Sequence, residues 1–556
     1  MKRFYSVLII FTLFTFTLFN YYTLKFNEKD LEFPKFIAQD RPFGENLAGM
    51  PIRNCVAMLN SIDLSSILNK KREEINIYSN EELCRLGNLE SFITYGDLDG
   101  DYLSEVMLID NRGKVSFYWN MGSSYKRDNF LSDNLSKYAY SESNKGVFFF
   151  MDANNDSFND IILSPNSKRN DLLIFSNKGE RRIDIDNPES FQGEFFINQV
   201  PTNVTTDDIN KDGLADIIFT ISGNDNYPVR IFTSNFDKEI SYIEETSKFF
   251  NSNDVDKKLN VANNTTLVND FNYDGSLDLF VSGEDSSNFY FYNSDKFIFD
   301  DKASIEMGLI GVSLSDYNQD GLLDIIATNS KDANNGLVVF LANKNNNYKK
   351  ITSIYNNRLN NTSGFANVDF NLDGYSDFFI GSQVFHSKNG NFMENNLLRP
   401  YLLLGDDRSY KDEIGEIFRS LLMIEPTAII ASTDFNGDFK PDVLLASDEM
   451  AKPHLILNNT ISIYNSASVL IKGIGQGGSP LNGEGAIITV KIKDRPVQKF
   501  KLPSKISNYN VYSATAPIII GLGNNDDAQV EVIFPSGKII KGMIFKDIIN
   551  IIKEVE

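Results

Sequence analysis

The sequence predicts an all-β protein: a seven-bladed β-propeller followed by a small β-sandwich, with a transmembrane helix at the N-terminus. An Asp-rich nine-residue pattern recurs seven times between residues 97 and 442. Short apolar runs, typical of buried strands, flank each copy, and an uncharged run occupies residues 4–24. The domains predicted from these features are an anchor at 1–24, a linker region at 25–90, the propeller at 91–460 and a β domain at 461–556.

Composition narrows the classes of function. The chain has 556 residues and a formal charge of −22, from 75 acidic and 53 basic residues. This sign argues against a nucleic-acid partner, because recognition of phosphates requires Lys and Arg. Only His386, His454, Cys55 and Cys84 could supply nitrogen or sulfur ligands, so zinc chemistry is nearly excluded. The two cysteines either form a disulfide in an exported protein or remain buried thiols.

The N-terminus predicts export. Lys2 and Arg3 precede the uncharged run at 4–24, whose 21 residues are enough to cross a hydrocarbon core of roughly 30 Å. The run lacks the small residues of a cleavage site, so an uncleaved anchor is favoured over a cleaved signal. Because basic residues precede it, the bulk of the chain is expected at the cell surface or in the periplasm. Cleavage would instead release a secreted protein.

The repeat is the main structural signal. Its copies start at 97, 152, 208, 270, 316, 369 and 434, with separations of 55, 56, 62, 46, 53 and 65 residues. An apolar run follows each copy, a shorter one precedes it, and at least one further strand-like run belongs to each repeat. Three or four short strands per unit describe a propeller blade, and seven units suit a closed ring. A β-solenoid is disfavoured because its repeats are much shorter.

The side chains of the repeat predict a calcium site. Calcium takes about 6–8 oxygen ligands, which a loop supplies when oxygen-bearing side chains recur at alternate positions. Positions 1, 3, 5 and 9 carry Asp, Asn or, once, Glu, and a backbone carbonyl at position 7 is expected to complete the set. The predicted ligands, loop by loop, are Asp97, Asp99, Asp101, Glu105; Asp152, Asn154, Asp156, Asp160; Asp208, Asn210, Asp212, Asp216; Asp270, Asn272, Asp274, Asp278; Asp316, Asn318, Asp320, Asp324; Asp369, Asn371, Asp373, Asp377; Asp434, Asn436, Asp438 and Asp442.

Position 6 predicts which loops bind best. It is glycine in four loops, where a positive φ is easiest. Tyr102, Ser157 and Phe439 hold it in the others, for which we expect a strained or altered turn and weaker binding. Solvated turns are the alternative interpretation of a single loop, but they need no acid at position 9. Up to seven calcium ions carry 14 positive charges and would move the formal charge from −22 to −8.

The loop pattern DFNxDGxxD followed by an apolar strand resembles the FG-GAP (VCBS) repeat of integrin α-chain propellers and many secreted proteins. The resemblance covers about residues 90–460. It implies a seven-bladed propeller with calcium between the first two strands of each blade.

The C-terminal region resembles the ASPIC/UnbV domain, which follows such propellers in cartilage acidic protein and its bacterial relatives. Phe534 stands where that family usually has Trp. Strands are expected near 468–474, 486–493, 497–502, 529–534 and 538–545, separated by turns rich in Gly, Pro and Asn. The residues that carry the resemblance are Asn482, Gly485, Ala486, Gly521, Leu522, Gly523, Pro535, Ser536 and Gly537.

Two classes of function follow from these expectations. The first is a calcium-binding platform for adhesion or recognition, outside the membrane, whose protein or glycan partner contacts loops on one face of the disc. It is favoured because no catalytic constellation is concentrated in the sequence, so the chain is not expected to be an enzyme. The alternative is an extracytoplasmic carbohydrate-active enzyme, a lyase or hydrolase that uses carboxylates. A tight pair of acids in the central channel would favour it.

Overall fold

The computed structural model describes residues 36–39 and, with internal gaps, residues 92–555. The longer gaps are 193–199, 251–262, 352–361, 383–400, 413–428 and 447–453. The predicted anchor at 1–24, the linker region other than 36–39, and the pair Cys55 and Cys84 lie outside the described residues. Within the described part, no helix is both long and apolar enough to cross a membrane.

Four-stranded antiparallel meanders make up most of the described chain. We number them 1 to 7, with the Asp-rich loop of the same number joining the first two strands of each. After β1 (Phe36–Gln39), the strands of meanders 1 to 3 are β2 (Phe92–Gly96), β3 (Glu105–Ile109), β4 (Val115–Asn120), β5 (Tyr125–Asp128); β6 (Phe148–Met151), β7 (Asp160–Leu163), β8 (Asp171–Phe175), β9 (Glu189–Gln192); β10 (Val200–Asp207), β11 (Asp216–Ser222), β12 (Val229–Phe236) and β13 (Ile240–Glu244). Two helices, α1 (Asn129–Ala139) and α2 (Thr246–Phe249), follow β5 and β13.

The next four meanders repeat this plan, but the last takes its outer strand from the N-terminal part of the chain. Their strands are β14 (Asn263–Asn269), β15 (Asp278–Gly283), β16 (Ser287–Asn293), β17 (Lys296–Phe299); β18 (Val312–Ser315), β19 (Asp324–Thr328), β20 (Leu337–Ala342), β21 (Tyr348–Ile351); β22 (Thr362–Val368), β23 (Asp377–Ser382), β24 (Tyr401–Gly405), β25 (Tyr410–Asp412); β26 (Ile429–Thr433), β27 (Asp442–Ala446) and β28 (His454–Asn458). Strand β1 pairs antiparallel with β28, with Ala38 opposite Ile456. A segment assigned to the linker thus completes meander 7.

Neighbouring meanders pack face to face, which explains the uninterrupted apolar runs of their second strands. Every residue of β3, β7 and β19 is buried, because each sheet is covered on both faces. Separate apolar clusters join meanders 3 to 4, 4 to 5, 5 to 6 and 6 to 7, and one larger cluster joins 7, 1, 2 and 3. Meander 1 therefore packs against meander 7.

The C-terminal domain contains two further sheets around one apolar core, which includes Val469, Ile488 and Val532. One sheet has the order β34-β29-β37 and the other β31-β30-β35-β36. Their strands, with the hairpin β32–β33, are β29 (Asn465–Lys472), β30 (Ile487–Lys491), β31 (Gln498–Lys501), β32 (Ser504–Ser507), β33 (Asn510–Tyr512), β34 (Ile518–Gly523), β35 (Asp527–Ile533), β36 (Ile539–Phe545) and β37 (Ile549–Lys553).

The C-terminal domain lies on the face of the meanders that carries the Asp-rich loops. Its hairpin enters between first strands: β32 pairs antiparallel with β10, and β33 pairs parallel with β26. Strand β31 meets β18 where Phe500 lies opposite Ser315. The predicted display surface at the loops is therefore only partly free: the chain's own C-terminal domain covers loop 6, whereas the turns of loops 1, 2, 4 and 5 are exposed.

Candidate metal centres

The seven Asp-rich loops fold alike, and all predicted ligands lie within them. In every loop the position 1 carboxylate accepts the N–H of position 6, at 2.7–3.0 Å. The position 3 side chain accepts the N–H of position 5 at 2.9–3.3 Å. The position 5 carboxylate accepts the N–H of position 7 at 2.8–3.1 Å. The loop thus wraps around the oxygens of positions 1, 3 and 5.

The position 9 carboxylate anchors the loop to the sheet. It is fully buried in all seven loops. One of its oxygens accepts the N–H of position 2. The other accepts an N–H from the third strand or from just after it, as Asp216 does from Ser234 at 2.8 Å. These bonds give the recurring acid a folding role in addition to the metal role predicted from the repeat.

The turn is preserved in the three loops that lack glycine at position 6. Tyr102, Ser157 and Phe439 have φ values of 69°, 74° and 62°, in the left-handed region that glycine occupies elsewhere. The expectation of an altered turn is therefore wrong, and the expectation of strain is supported, since a side chain disfavours this region. Position 4 also has positive φ in every loop, a requirement that the sequence analysis missed. Loops 1 and 7 place their glycines there.

Loop 1 has the most concentrated set of carboxylates. One oxygen from each of Asp97, Asp99 and Glu105 lies within 4.8 Å of the others. Arg181 from meander 2 pairs with Asp99, with 2.6 Å between Nε and Oδ2. Its guanidinium also lies 5.3 Å from the centre of the Trp119 ring. The arginine offsets part of the additional negative charge that distinguishes this loop.

Burial raises the pKa of the carboxyl groups at positions 1 and 9 of the loops. The pKa rises to about 6 for Asp97, about 7 for Asp208 and about 8 for Asp216. Neighbouring ionised ligands raise these pKa values further, whereas backbone N–H donors lower them. Each loop therefore holds several carboxylates whose ionised forms are disfavoured by burial and mutual repulsion.

This donor set fits a hard divalent cation. Oxygen is the only ligand type at positions 1, 3, 5 and 9, which suits calcium or magnesium and not a metal that prefers sulfur or nitrogen. A cation would also offset the repulsion that raises the pKa values. The residues present therefore fit calcium, with oxygens of positions 1, 3 and 9 within 4.8 Å of one another in loop 1 and position 9 also joining each loop to its sheet.

Asparagine side chains at the ends of third strands connect neighbouring loops, which the sequence analysis missed. Asn177 donates from Nδ2 to the carbonyl of Leu98 at 2.7 Å, joining meander 2 to loop 1. Asn120 donates to the carbonyl of Phe435 at 2.9 Å, joining meander 1 to loop 7. Asn458 makes the equivalent bond to loop 6. The available signal was an Asn at or just after the third apolar run, which occurs in most of the repeats.

A family description covers part of this repeat region. The FG-GAP-like repeat matches at residues 270–327 and 316–380, which include loops 4, 5 and 6. The chain therefore contains FG-GAP-like repeats. No curated protein matches this chain.

Solved structures with similar architecture are distant in sequence. An Agrocybe aegerita lectin, described as recognising non-reducing terminal N-acetylglucosamine, is 15% identical and covers 67% of this chain and 91% of its own, with a TM-score of 0.40. BBS1N in complex with ARL6DN is 9% identical over 67% and 94%, with a TM-score of 0.37. AofleA from Arthrobotrys oligospora is 8% identical over 59% and 86%, with a TM-score of 0.29. These likenesses assign neither ligand nor partner to this chain.

Proposed function

We propose that this chain is a seven-bladed, calcium-stabilised β-propeller that acts outside the cell membrane as a recognition or protein-interaction platform. The FG-GAP-like repeats support the class of protein. The main observation in support of calcium is that all seven loops wrap in the same way around side-chain oxygens. In loop 1, oxygens of three carboxylates lie within 4.8 Å of one another.

Contacts between meanders 1 and 7 support a closed ring of seven blades. The Tyr95 hydroxyl donates to the carbonyl of Ser432 at 3.2 Å, and its ring lies 5.5 Å from that of Phe435. Asn120 bonds to the same Phe435, across 315 positions of sequence. A ring closed in this way is a rigid scaffold, which suits recognition by loops held at fixed positions.

Recognition by the face opposite the Asp-rich loops fits this architecture best, because the C-terminal domain occupies part of the loop face. The enzyme alternative gains no support from the first strands of the meanders. Along their described residues, Asp207 is the one carboxylate outside the Asp-rich loops, and it pairs with Lys501 of the C-terminal domain. Both members of this pair are buried. We therefore retain a binding role and propose no catalytic residue.

The calcium proposal is tested by binding and melting measurements on the full chain in detergent. Equilibrium dialysis should detect up to seven bound calcium ions, and excess chelator should lower the Tm until calcium is restored. The substitution Asp212→Asn removes one loop 3 ligand charge and should remove about one ion. Asp186→Asn, at an exposed position outside the loops, is the control. An unchanged melting curve in chelator would overturn the assignment.

The recognition proposal requires a separate test. Glycan arrays and cross-linking on intact cells, performed with calcium and with chelator, should identify a partner retained only with calcium. Turnover of a glycan by the purified chain, abolished by substitution of a carboxylate, would instead favour the enzyme alternative.

A further inference from the structure

The C-terminal domain contacts the Asp-rich loops at their tight turns. Gln498 donates from Nε2 to the carbonyl of Gly374 at 3.0 Å, and Ser466 donates from Oγ to that of Phe439 at 2.6 Å. Lys499 donates from Nζ to the carbonyl of Gly321. All three acceptors are at position 6, so the domain binds the same point of loops 5, 6 and 7.

The C-terminal domain also contacts loops 2 and 3. The N–H of Gly477 donates to the carbonyl of Asp212, a loop 3 ligand position, at 3.0 Å. Asn482 donates from Nδ2 to Oδ1 of Asn159 in loop 2 at 2.7 Å. These contacts bring to five the number of loops touched by the described C-terminal residues.

Glycine permits the close approach of β34 to loop 6. A β-carbon on Gly521 would lie 1.9 Å from Oδ2 of Asp369 and 2.8 Å from the α-carbon of Leu372. The φ of Gly521 is not in the left-handed region, so space, and not backbone conformation, requires glycine here. This residue is one of those that carry the resemblance to the ASPIC/UnbV domain, where we expected turn glycines. Its position against a predicted metal ligand corrects that expectation.

The contacted turns depend on the side chains that would hold the ions. Position 1 accepts the N–H of position 6, and position 5 accepts that of position 7, so the contacted carbonyl lies between two ligand-bonded groups. Without a cation, repulsion among the ligands acts directly on this turn. Glu484 of the C-terminal domain adds another buried carboxylate near loop 2, and its Oε2 accepts no hydrogen bond.

We propose that loops loaded with calcium hold the C-terminal domain in place, so that loss of calcium releases it and withdraws the hairpin β32–β33 from between β10 and β26. This inference rests on the proposed calcium binding. It extends the role of calcium from stabilising the fold to deciding whether an internal surface is exposed. Because coupling between two binding events is reciprocal, docking of the domain also tightens calcium binding. Calcium loss thereby exposes first-strand surface that the hairpin covers.

Hydrogen exchange of the full chain in detergent, with calcium or with chelator, tests the release. Exchange at 473–478, 504–507, 510–512 and 521–525 should rise about tenfold in chelator, a size typical of coupling between sites. Exchange at 106–109 and 115–119, within strands β3 and β4 of meander 1, should remain slow. If melting depends on calcium but the interface segments do not respond, this inference fails and calcium binding stands.

Two further outcomes separate the proposals. If exchange rises in all segments together, those of meander 1 included, the whole chain unfolds. This result would overturn the proposed release of the C-terminal domain alone. If chelator changes neither melting nor exchange, the calcium proposal fails and this inference fails with it.

A pair of glycine substitutions tests the coupling from the opposite side. Gly521→Ala should accelerate exchange at the interface about tenfold even with calcium, and should reduce the number of bound ions by more than one. Gly542→Ala is the matched control, since nothing lies within 4 Å of a β-carbon there. Loss of one ion only would mean local damage to loop 6 and would overturn the coupling. Slow exchange at 106–109 and 115–119 verifies that the variant is folded.

Discussion

At the scale of single residues, position 9 of the loop serves the fold whether or not a metal binds. Asp216 accepts N–H groups from Ile209 at 2.9 Å and from Ser234 at 2.8 Å, which joins the loop to its sheet. Oδ2 of Asp216 also accepts the N–H of Asn210 at 3.2 Å, and Oδ1 also accepts the hydroxyl of Ser234 at 3.0 Å, so each oxygen already accepts two hydrogen bonds. The recurrence of an acid at position 9 is therefore weaker support for calcium than the sequence alone suggested, although in loop 1 Glu105 at position 9 lies with Asp97 and Asp99 in the group whose oxygens are within 4.8 Å of one another.

Relief of strain in loop 2 should stabilise the protein. Ser157 has a φ of 74°, and loop 2 has no glycine at either left-handed position. We expect Ser157→Gly to raise the free energy of unfolding by about 0.5–1 kcal/mol, because a side chain disfavours this conformation. Differential scanning calorimetry in calcium measures the effect. Ser276→Gly, at a loop 4 position without positive φ, should destabilise instead; equal effects of the two substitutions would contradict the strain argument.

The raised pKa values predict a pH dependence. Burial raises the pKa of Asp216 to about 8, above an unfolded value of about 3.9. In the metal-free protein the raised pKa of Asp216 contributes to the free energy of unfolding below about pH 4. This contribution is lost as the pH rises to about 8. Calcium requires ionised ligands and binds more tightly over the same range. We expect the difference in Tm between calcium and chelator to widen from about pH 5 to about pH 8; a constant difference would contradict this.

At the scale of elements, asparagines at or just after the ends of the third strands of meanders 1, 2 and 7 connect each of these meanders to its neighbour. The buried amide of Asn177 donates both to its own loop, at the carbonyl of Asn159, and to Leu98 in the preceding loop. Its Oδ1 accepts the N–H of Gly179. One side chain therefore links two loops and a turn, and equivalent asparagine bonds support loops 6 and 7 from the next meander.

Removal of this connection should destabilise the fold. Asn177→Ala leaves the buried carbonyl of Leu98 without this donor, at an expected cost of about 1–3 kcal/mol in the free energy of unfolding. Asn187→Ala, at an exposed position, should change it by less than about 0.5 kcal/mol. Calorimetry in calcium compares the two, and similar Tm values would exclude the proposed role of Asn177.

At the scale of the whole molecule, the two ends of the repeat region are joined twice. The side chains of Tyr95 and Asn120 connect meander 1 to meander 7. Strand β1, which lies more than fifty residues before β2, supplies the outer strand of meander 7. Closure by a strand from a distant part of the chain hides an edge that would otherwise be unpaired.

Disruption of β1 should expose the edge of β28. The double substitution Ile37→Pro and Ala38→Pro removes two N–H donors from the strand. We expect faster hydrogen exchange in 454–458 and a lower Tm, with unchanged exchange in 171–175 of meander 2. Slow exchange in both segments would mean that β28 does not depend on β1.

The sequence by itself determined the all-β class and the position of the turn between the first two strands of each meander. These features depend on residues close together in the chain: Asp and Asn that bond to nearby backbone, and short apolar runs on either side. Calcium binding, the membrane anchor and the absence of catalysis stay predictions. The left-handed conformation at position 4 is local, yet it was missed because residues such as Lys211 and Leu372 give no signal for it.

Only the tertiary structure decided which surfaces meet. The bond from Asn120 to Phe435 joins residues 315 positions apart, and that from Asn482 to Asn159 joins residues 323 apart. Repeat spacing shows how many units are present, but it does not show which distant segment covers them. The placement of β1 and of the C-terminal domain on the loops depends on complementary backbone edges and close packing at glycines such as Gly521, which form only when the whole chain is folded.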